Sequence, residues 1–513
     1  MPATDLGPLP ASLRARCGQL VMARLGSNLP PGRSAPDDAD RVAALLDEVP
    51  LGGLLVFNGA WPALPATLTR LQRAASFPLL IASDVERGVG QQVQGGTHFP
   101  HARAVARAGA DGAATLARIT AHEARACGIH LAFAPVADVN LTDANPIIDT
   151  RAFGTTPARV TPCVQAYVRT AQQHGLLTVA KHFPGHGRTT TDSHATLPVV
   201  DATTADWMRD EAPPFRAACD AGVAGLMTAH VAYPALEPAY APQRPATASP
   251  ALLRDLLRDG WGFSGVVFSD SLLMEGIRAT ADVGTHAARL IRAGVDVLLD
   301  PDDPAAVVEG LVQAVRDGAL PVSLVDAACR RVWRLKAQVA ARTAWRPAPD
   351  HAFGTAAHQE AADELAARAL QAPASLPQST DWCVLYAGAG RAASPDPLVR
   401  GLRRGGGTVS CYTLPETPTA EDKAAFDRAT QTASHLLVAC AVGPAAWHRF
   451  GLSKAQTAAL RRWTRTARMP HVVYAALGAP HALQWAPERA PRCITYSDVP
   501  AAQQALAHRL LPH

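Results

Sequence analysis

Seven short apolar runs recur along the first 300 residues, each followed by a longer stretch with helical spacing. They are GGLLVF (52–57), PLLIAS (78–83), LAFAPVADV (131–139), LLTVA (176–180), AGLMTA (224–229), GVVFS (265–269) and GVDVLL (294–299). A strand with water on one face alternates apolar and polar residues, and these runs do not alternate. Unbroken apolar runs between helices belong to parallel strands covered on both faces. Seven or eight such units in about 330 residues fit a (β/α)8 barrel. A doubly wound open sheet is the competing arrangement; strand count and length favour the barrel.

Polar residues follow these runs with unusual regularity. Asp84 follows the second, Asp138 and Asn140 close the third, and Lys181 and His182 follow the fourth. His230, Asp270 and Asp300 follow the fifth, sixth and seventh. One polar residue after a strand is ordinary turn chemistry. A set of them on the rim formed by the strands' carboxyl ends is where barrel enzymes build their sites.

The densest chemistry lies in KHFPGHGRTTTDSHATLP (181–198). Gly185 and Gly187 break any helical period there, so the segment is a loop leaving a strand. Three readings are open for it. His182, His186, Asp192 and His194 could ligate a metal, although HExxH spacing and a cysteine partner are missing. Asp192 and His194 could form an acid/base pair for sugar or acyl transfer. The loop could also be a hydrogen-bonded cap on the barrel. In an extended segment, residues two apart share a side, so Asp192 can orient the His194 imidazole. Histidine titrates near neutrality and can both give and take a proton. Asp270 at a strand end is either a fixed carboxylate nucleophile or a cap for the following helix. As a nucleophile it must be ionised, which Lys181 or Arg151 nearby would favour.

The remainder of the chain organises around this unit. Residues 11–25 have helical spacing, as do 321–341 and 356–371. The expected division is a catalytic barrel over 1–345, a linker with a helix over 346–378, and an α/β domain over 379–513. The last has strands at 382–388, 408–413, 435–442 and 471–477 and reads as an open sheet with helices on its faces. No glycine-rich phosphate loop follows those strands, so it reads as a supporting or dimerising unit. The net charge is +4, with both signs dispersed. That pattern excludes a nucleic-acid partner. No long apolar stretch predicts a membrane span, and the first 26 residues do not read as a signal peptide. Nine cysteines are scattered singly, which fits a reducing compartment and a cytoplasmic location.

KHFPGHG followed by DSH resembles the β-N-acetylglucosaminidases of glycoside hydrolase family 3. LRARCGQLVMARLG (13–26), GGLLVFNG (52–59), IASDVERGVGQQV (81–93), NPIIDTRAFG (145–154), LMTAHVAYP (226–234) and GFSGVVFSDSLLMEGI (262–277) are similar to other segments of the family. The resemblance implies a (β/α)8 barrel followed by a smaller open α/β sandwich. It also implies a retaining exo-β-N-acetylglucosaminidase acting on peptidoglycan fragments or chitooligosaccharides. Asp270 is then the nucleophile, and His194 with Asp192 the acid/base. Asp84, Arg151, Lys181 and His182 bind sugar hydroxyls. The implied partner is an oligosaccharide or muropeptide, with no cofactor and no metal. Two departures stand out. Ser271 occupies a place that is acidic in many members, and Arg87 and Val89 replace the usual Gly-Gly-Arg order after the glutamate. A phosphorylase, a β-glucosidase or β-xylosidase, a non-catalytic sugar-binding protein and a metal-dependent hydrolase are the alternatives.

Overall fold

The structure, a computed structural model, describes residues 6–191, 196–237, 243–274, 282–342, 353–390, 392–431, 433–444, 450–467 and 469–512. Eight parallel strands close into a barrel: β1 (Val21–Leu25), β2 (Gly53–Val56), β3 (Leu80–Ser83), β4 (Leu131–Ala132), β5 (Leu177–Phe183), β6 (Gly225–Thr228), β7 (Val266–Ser271) and β8 (Val297–Leu299). Strands adjacent in sequence are adjacent in space, and β1 closes on β8 through Val21 opposite Leu298 and Met22 opposite Leu299. Every residue of β2, β3 and β6 is buried, which is why those runs are apolar without a break. Helices cover the outside with one apolar stripe each. Ala63–Ala74, for example, buries Leu64, Leu68 and Leu71.

The opening segment corrects the expectation of a helix over 11–25. The helix spans Leu13–Gly18, with the Ser12 side chain accepting from the Ala15 N–H, and the chain then enters β1. Leu20, Val21 and Leu25 match helical spacing, but they also belong to a run buried on both sides. Periodicity alone cannot separate a buried helix from a buried strand. The third apolar run also shortens: Leu131–Ala132 is laddered, and Pro135, which has no N–H to donate, follows soon after. The Ala137 N–H returns to the Lys181 carbonyl at 2.7 Å and keeps the segment beside β5.

The C-terminal sheet has five parallel strands. They are β9 (Trp382–Gly388), β10 (Val409–Thr413), β11 (His435–Val442), β12 (His471–Gly478) and β13 (Arg492–Ile494), in the order β10-β9-β11-β12-β13. The strand β13 adds to the four expected. Alternate residues of β9 enter two cores: Val384 packs with Leu398, Leu402 and Leu506, and Leu385 with Phe426, Leu460 and Trp463. Helices therefore cover both faces of this sheet. Among the described residues no helix is long and apolar enough to cross a membrane.

One buried carboxylate ties the amino-terminal end of the barrel together. Asp296, just before β8, accepts from Arg258 at 2.6 Å, from Arg331 at 2.8 Å and from the Val267 N–H at 2.9 Å. Arg331 belongs to the helix Val322–Arg342, so Asp296 docks that helix against the strands. Asp296→Ala would strand two guanidinium groups and an amide, and unfolding should become easier by about 3 kcal/mol. Equilibrium denaturation measures this; an unchanged midpoint would show that Asp296 is not the tie.

Candidate active site

The end of β5 is held rigidly before it reaches the loop. Phe183 is buried edge-to-face against Phe215 and Trp261, with ring centroids 5.6 and 5.7 Å away. The Trp207 indole N–H donates to the Pro184 carbonyl at 2.9 Å. The two residues before Phe183 are thereby fixed at the mouth of the barrel.

Lys181 is 3% exposed and bridges two carboxylates, Asp84 Oδ1 at 2.6 Å and Glu86 Oε1 at 2.7 Å. Glu86 in turn receives Arg151 through two parallel bonds, Nη2 to Oε1 at 2.8 Å and Nε to Oε2 at 3.0 Å. Burial works to raise the Glu86 pKa, but Arg151 and Lys181 outweigh it and hold the carboxyl well below its usual range. Burial likewise opposes the Lys181 charge, and Asp84 and Glu86 reverse the effect and raise its pKa. Two cations and two anions thus balance inside a low-dielectric wall.

Arg151 Nη2 also lies 3.3 Å from His182 Nε2. Arginine can only donate, so Nε2 accepts and the ring proton sits on Nδ1. That nitrogen faces Asp138 Oδ2 at 2.7 Å. Asp138 also accepts the backbone N–H groups of His182 at 3.1 Å and His186 at 2.7 Å. One buried carboxylate therefore sets both the His182 ring and the start of the glycine loop. The loop passes very close to the strand-end segment: a Cβ on Gly187 would lie 1.7 Å from the Val139 carbonyl oxygen. Arg188 secures the next stretch on Asp210 at 2.5 Å and Glu211 at 3.1 Å. Arg188 thus shapes the loop. His186 lines the cavity, and its pKa is pushed down to about 4 by burial and by His182. Asp192 and His194 lie outside the described residues.

Asp270 closes β7, its Oδ1 accepting from the Ser271 N–H at 2.8 Å. The Ser271 hydroxyl donates to Asp300 at 2.8 Å, and Asp300 takes a bidentate grip from Arg24 at 3.0 and 2.5 Å. His230 donates through Nε2 to the Ser271 carbonyl at 3.1 Å. The residue after Asp270 is therefore fastened on three sides by its hydroxyl, amide and carbonyl. Lys181 and Arg151, expected beside Asp270, direct their charge instead to Asp84 and Glu86.

These side chains surround one cavity of about 360 Å³ at the carboxyl ends of the strands. Asp84, Arg151, Lys181, His182 and Asp270 all line it, with Met227 and Phe57 as apolar surface. Pro444, from the loop after β11, lines it too, so the second domain reaches the cavity. Among the described residues no group of three or more His, Cys, Asp or Glu side chains is arranged to hold a metal. His182, one of the four residues in the metal reading, has both ring nitrogens engaged, one of them by a guanidinium. Sequence reasoning gave no role to Glu86 or Asp138. Glu86 stands two residues after Asp84, the spacing that places side chains on one side of an extended segment. Asp138 was visible as a strand-end carboxylate.

A closed parallel barrel whose strand ends carry a small cavity rich in fixed carboxylates and donors defines an enzyme for a polyhydroxylated substrate. The chain belongs to glycosyl hydrolase family 3: residues 12–335 match the family's N-terminal domain. It is 32% identical over 386 residues to a β-N-acetylglucosaminidase/β-glucosidase of Cellulomonas fimi, covering 72% of this chain and 66% of that relative. It is 33% identical over 317 residues to a β-hexosaminidase of Methylococcus capsulatus, covering 60% of this chain and 93% of the relative. Its structure matches that of a family 3 β-N-acetylglucosaminidase from Paenibacillus sp. str. FPU-7 with a TM-score of 0.86 at 28% identity, over 98% of this chain and 97% of the other.

Beside Arg151, Asp149 is buried with φ +36°, and its Oδ2 has no hydrogen-bond partner among the described residues. Burial pushes its pKa up to about 7. The unfolded chain ionises this carboxyl first, so the group costs stability as pH rises from about 4 to about 7 and adds no further change above. Asn accepts a left-handed backbone and carries no charge. Asp149→Asn should therefore gain on the wild type across that window, by roughly 2–4 kcal/mol. Parallel stability curves for the two proteins from pH 4 to 7 would rule this out.

Proposed function

We propose that the chain is a retaining exo-β-N-acetylglucosaminidase that removes terminal β-linked N-acetylglucosamine from peptidoglycan fragments or chitooligosaccharides. One observation carries the reading: Asp270, at the end of β7, lines the same cavity as Asp84, Arg151, Lys181 and His182. The names of the Cellulomonas, Methylococcus and Paenibacillus relatives support it.

Asp84, Arg151, Lys181 and His182 bind hydroxyls of the non-reducing sugar, replacing water around them with fixed partners. A small cavity with its fixed polar groups gathered on one wall suits release of terminal residues. The Asp270 carboxylate attacks the anomeric carbon. The bond to the leaving oxygen breaks, and that oxygen takes a proton from His194, held by Asp192. Neutral His194 then removes a proton from water, whose oxygen attacks the glycosyl ester and restores Asp270. All nine cysteines are free and seven are buried, which supports work in the reducing cytoplasm.

Asp270→Ala should abolish turnover while leaving sugar binding largely intact, as kinetics and calorimetry together would show. A 2-fluoro glycoside with a good leaving group should label Asp270, and a label on any other carboxylate would remove it from this role. A second measurement tests the substrate: kcat/KM for matched aryl β-glycosides of N-acetylglucosamine, glucose and xylose. The acetamido sugar should lead clearly. Equal or higher values for glucose or xylose would leave only a general β-glycosidase. Repeating the series with phosphate and assaying sugar 1-phosphate separates hydrolysis from phosphorolysis.

A further inference from the structure

Three arginines line the cavity: Arg24, Arg87 and Arg151. Two of them are fully committed. Arg24 holds Asp300 through two bonds, and Arg151 holds Glu86 through two bonds. Arg87 differs. Its backbone is fixed, with the N–H donating to Gln91 Oε1 at 2.9 Å and the carbonyl accepting from Phe99 at 2.9 Å. Its guanidinium has no hydrogen-bond or ion-pair partner among the described residues.

The surroundings do not supply one. The Glu86 carboxylate is taken by Lys181 and Arg151. Asp498, reaching over from the second domain, attracts Arg87 through space but accepts the Ala393 N–H at 3.0 Å. Around the wall, Arg24 balances Asp300, and Lys181 and Arg151 balance Asp84 and Glu86. Asp270 carries the remaining negative charge of the wall, and Arg87 is the lining cation that has no ion pair among the described residues. The neighbouring imidazoles stay neutral: burial, then Arg87 itself, push His98 down to about 3 and His101 well below its usual value. They offer no competing charge. Desolvating a guanidinium without a partner is costly, and burial accordingly lowers the Arg87 pKa. A planar fork of donors in a partly dry wall is relieved best by a carboxylate, sulfate or phosphate.

We propose that Arg87 makes the cavity selective for substrates bearing an anionic group, which its guanidinium binds beside the Glu86–Arg151 pair where the second domain meets the barrel. The inference rests on the reading of this cavity as the sugar site. The anion can be carried by the sugar itself, as a uronate or a sulfate or phosphate ester, or by the aglycone, as a carboxylate.

Two matched pairs of aryl β-N-acetylglucosaminides separate these sources. In one, the sugar carries a 6-sulfate or a neutral 6-substituent. In the other, the aglycone carries a spaced carboxylate or its methylamide. With the full chain, one pair should favour its anionic member by about ten- to a hundred-fold, mainly through KM. Arg87→Gln should collapse that preference towards one, and Arg87→Lys should keep part of it. Equal kcat/KM within both pairs, or a preference that survives in Arg87→Gln, overturns the proposal. So does an equal loss on neutral and anionic members. Sulfate binding to the wild type, measured by calorimetry against chloride at equal ionic strength, needs neither turnover nor the glutamine variant. Competition between sulfate and the neutral substrate, weaker in Arg87→Lys, supports the proposal; no specific sulfate binding overturns it. Wild type that turns over neutral pairs without preference sinks Arg87 alone, whereas no turnover of any N-acetylglucosaminide sinks the functional reading.

Discussion

The amino group of Lys181 sits between two carboxylates at the mouth of the barrel, and the rest of the site is arranged around that contact. A buried lysine is tolerated only when opposite charge replaces its lost hydration. Asp84 and Glu86 provide it, but two carboxylates would leave the wall negative. Arg151 completes the balance by gripping Glu86, and in doing so fixes the His182 tautomer through Nε2. Three strand-end segments that are far apart in sequence are thereby tied in one network. The mutual ion pairs hold the cavity wall in one arrangement.

A division of labour runs along the barrel axis. At one end Asp296 binds two arginines and a strand amide, an arrangement that serves docking. At the other, Asp138 binds a ring nitrogen and two backbone amides, one at the end of β5 and one in the loop after it, an arrangement that aims groups into the cavity. Both are buried aspartates. Their partners differ in kind: Asp296 faces long cations from outer helices, and Asp138 faces the end of β5 and the glycine loop that follows it. Ser271, at a place that is acidic in many members of the family, follows the same logic. A hydroxyl there donates to Asp300, which an acidic side chain could not do while ionised.

Strands β2 to β8 were legible because burial on both faces writes itself as an unbroken apolar run. Strand β1 was not, because Leu20, Val21 and Leu25 satisfy a helical stripe equally well and only pairing with β2 and β8 decides. Asp84, Arg151, Lys181, His182 and Asp270 could be picked out by their place after strands and by resemblance, and they do share one cavity. Their partners could not. Nothing local says that Lys181 faces two carboxylates rather than Asp270, since that follows from how three strands converge. Asp192 and His194 were legible as an i, i+2 pair, and lie outside the described residues.

The second domain shows most clearly what sequence order hides. Read alone, it is a complete sheet with two cores and no phosphate loop, and support is the natural role. Yet its contact with the barrel is made where the cavity opens. The Ser497 hydroxyl accepts the His101 N–H at 3.2 Å and lies 2.9 Å from His101 Nδ1, while Arg103 and Arg107 stand over the Tyr496 ring. Since the His101 N–H already donates to that oxygen, the serine proton is free to go to Nδ1, and a neutral imidazole suits this interface. His101 and Pro444, one from each domain, then lie on the same cavity wall. A domain joined to the barrel at that wall takes part in shaping what the cavity admits.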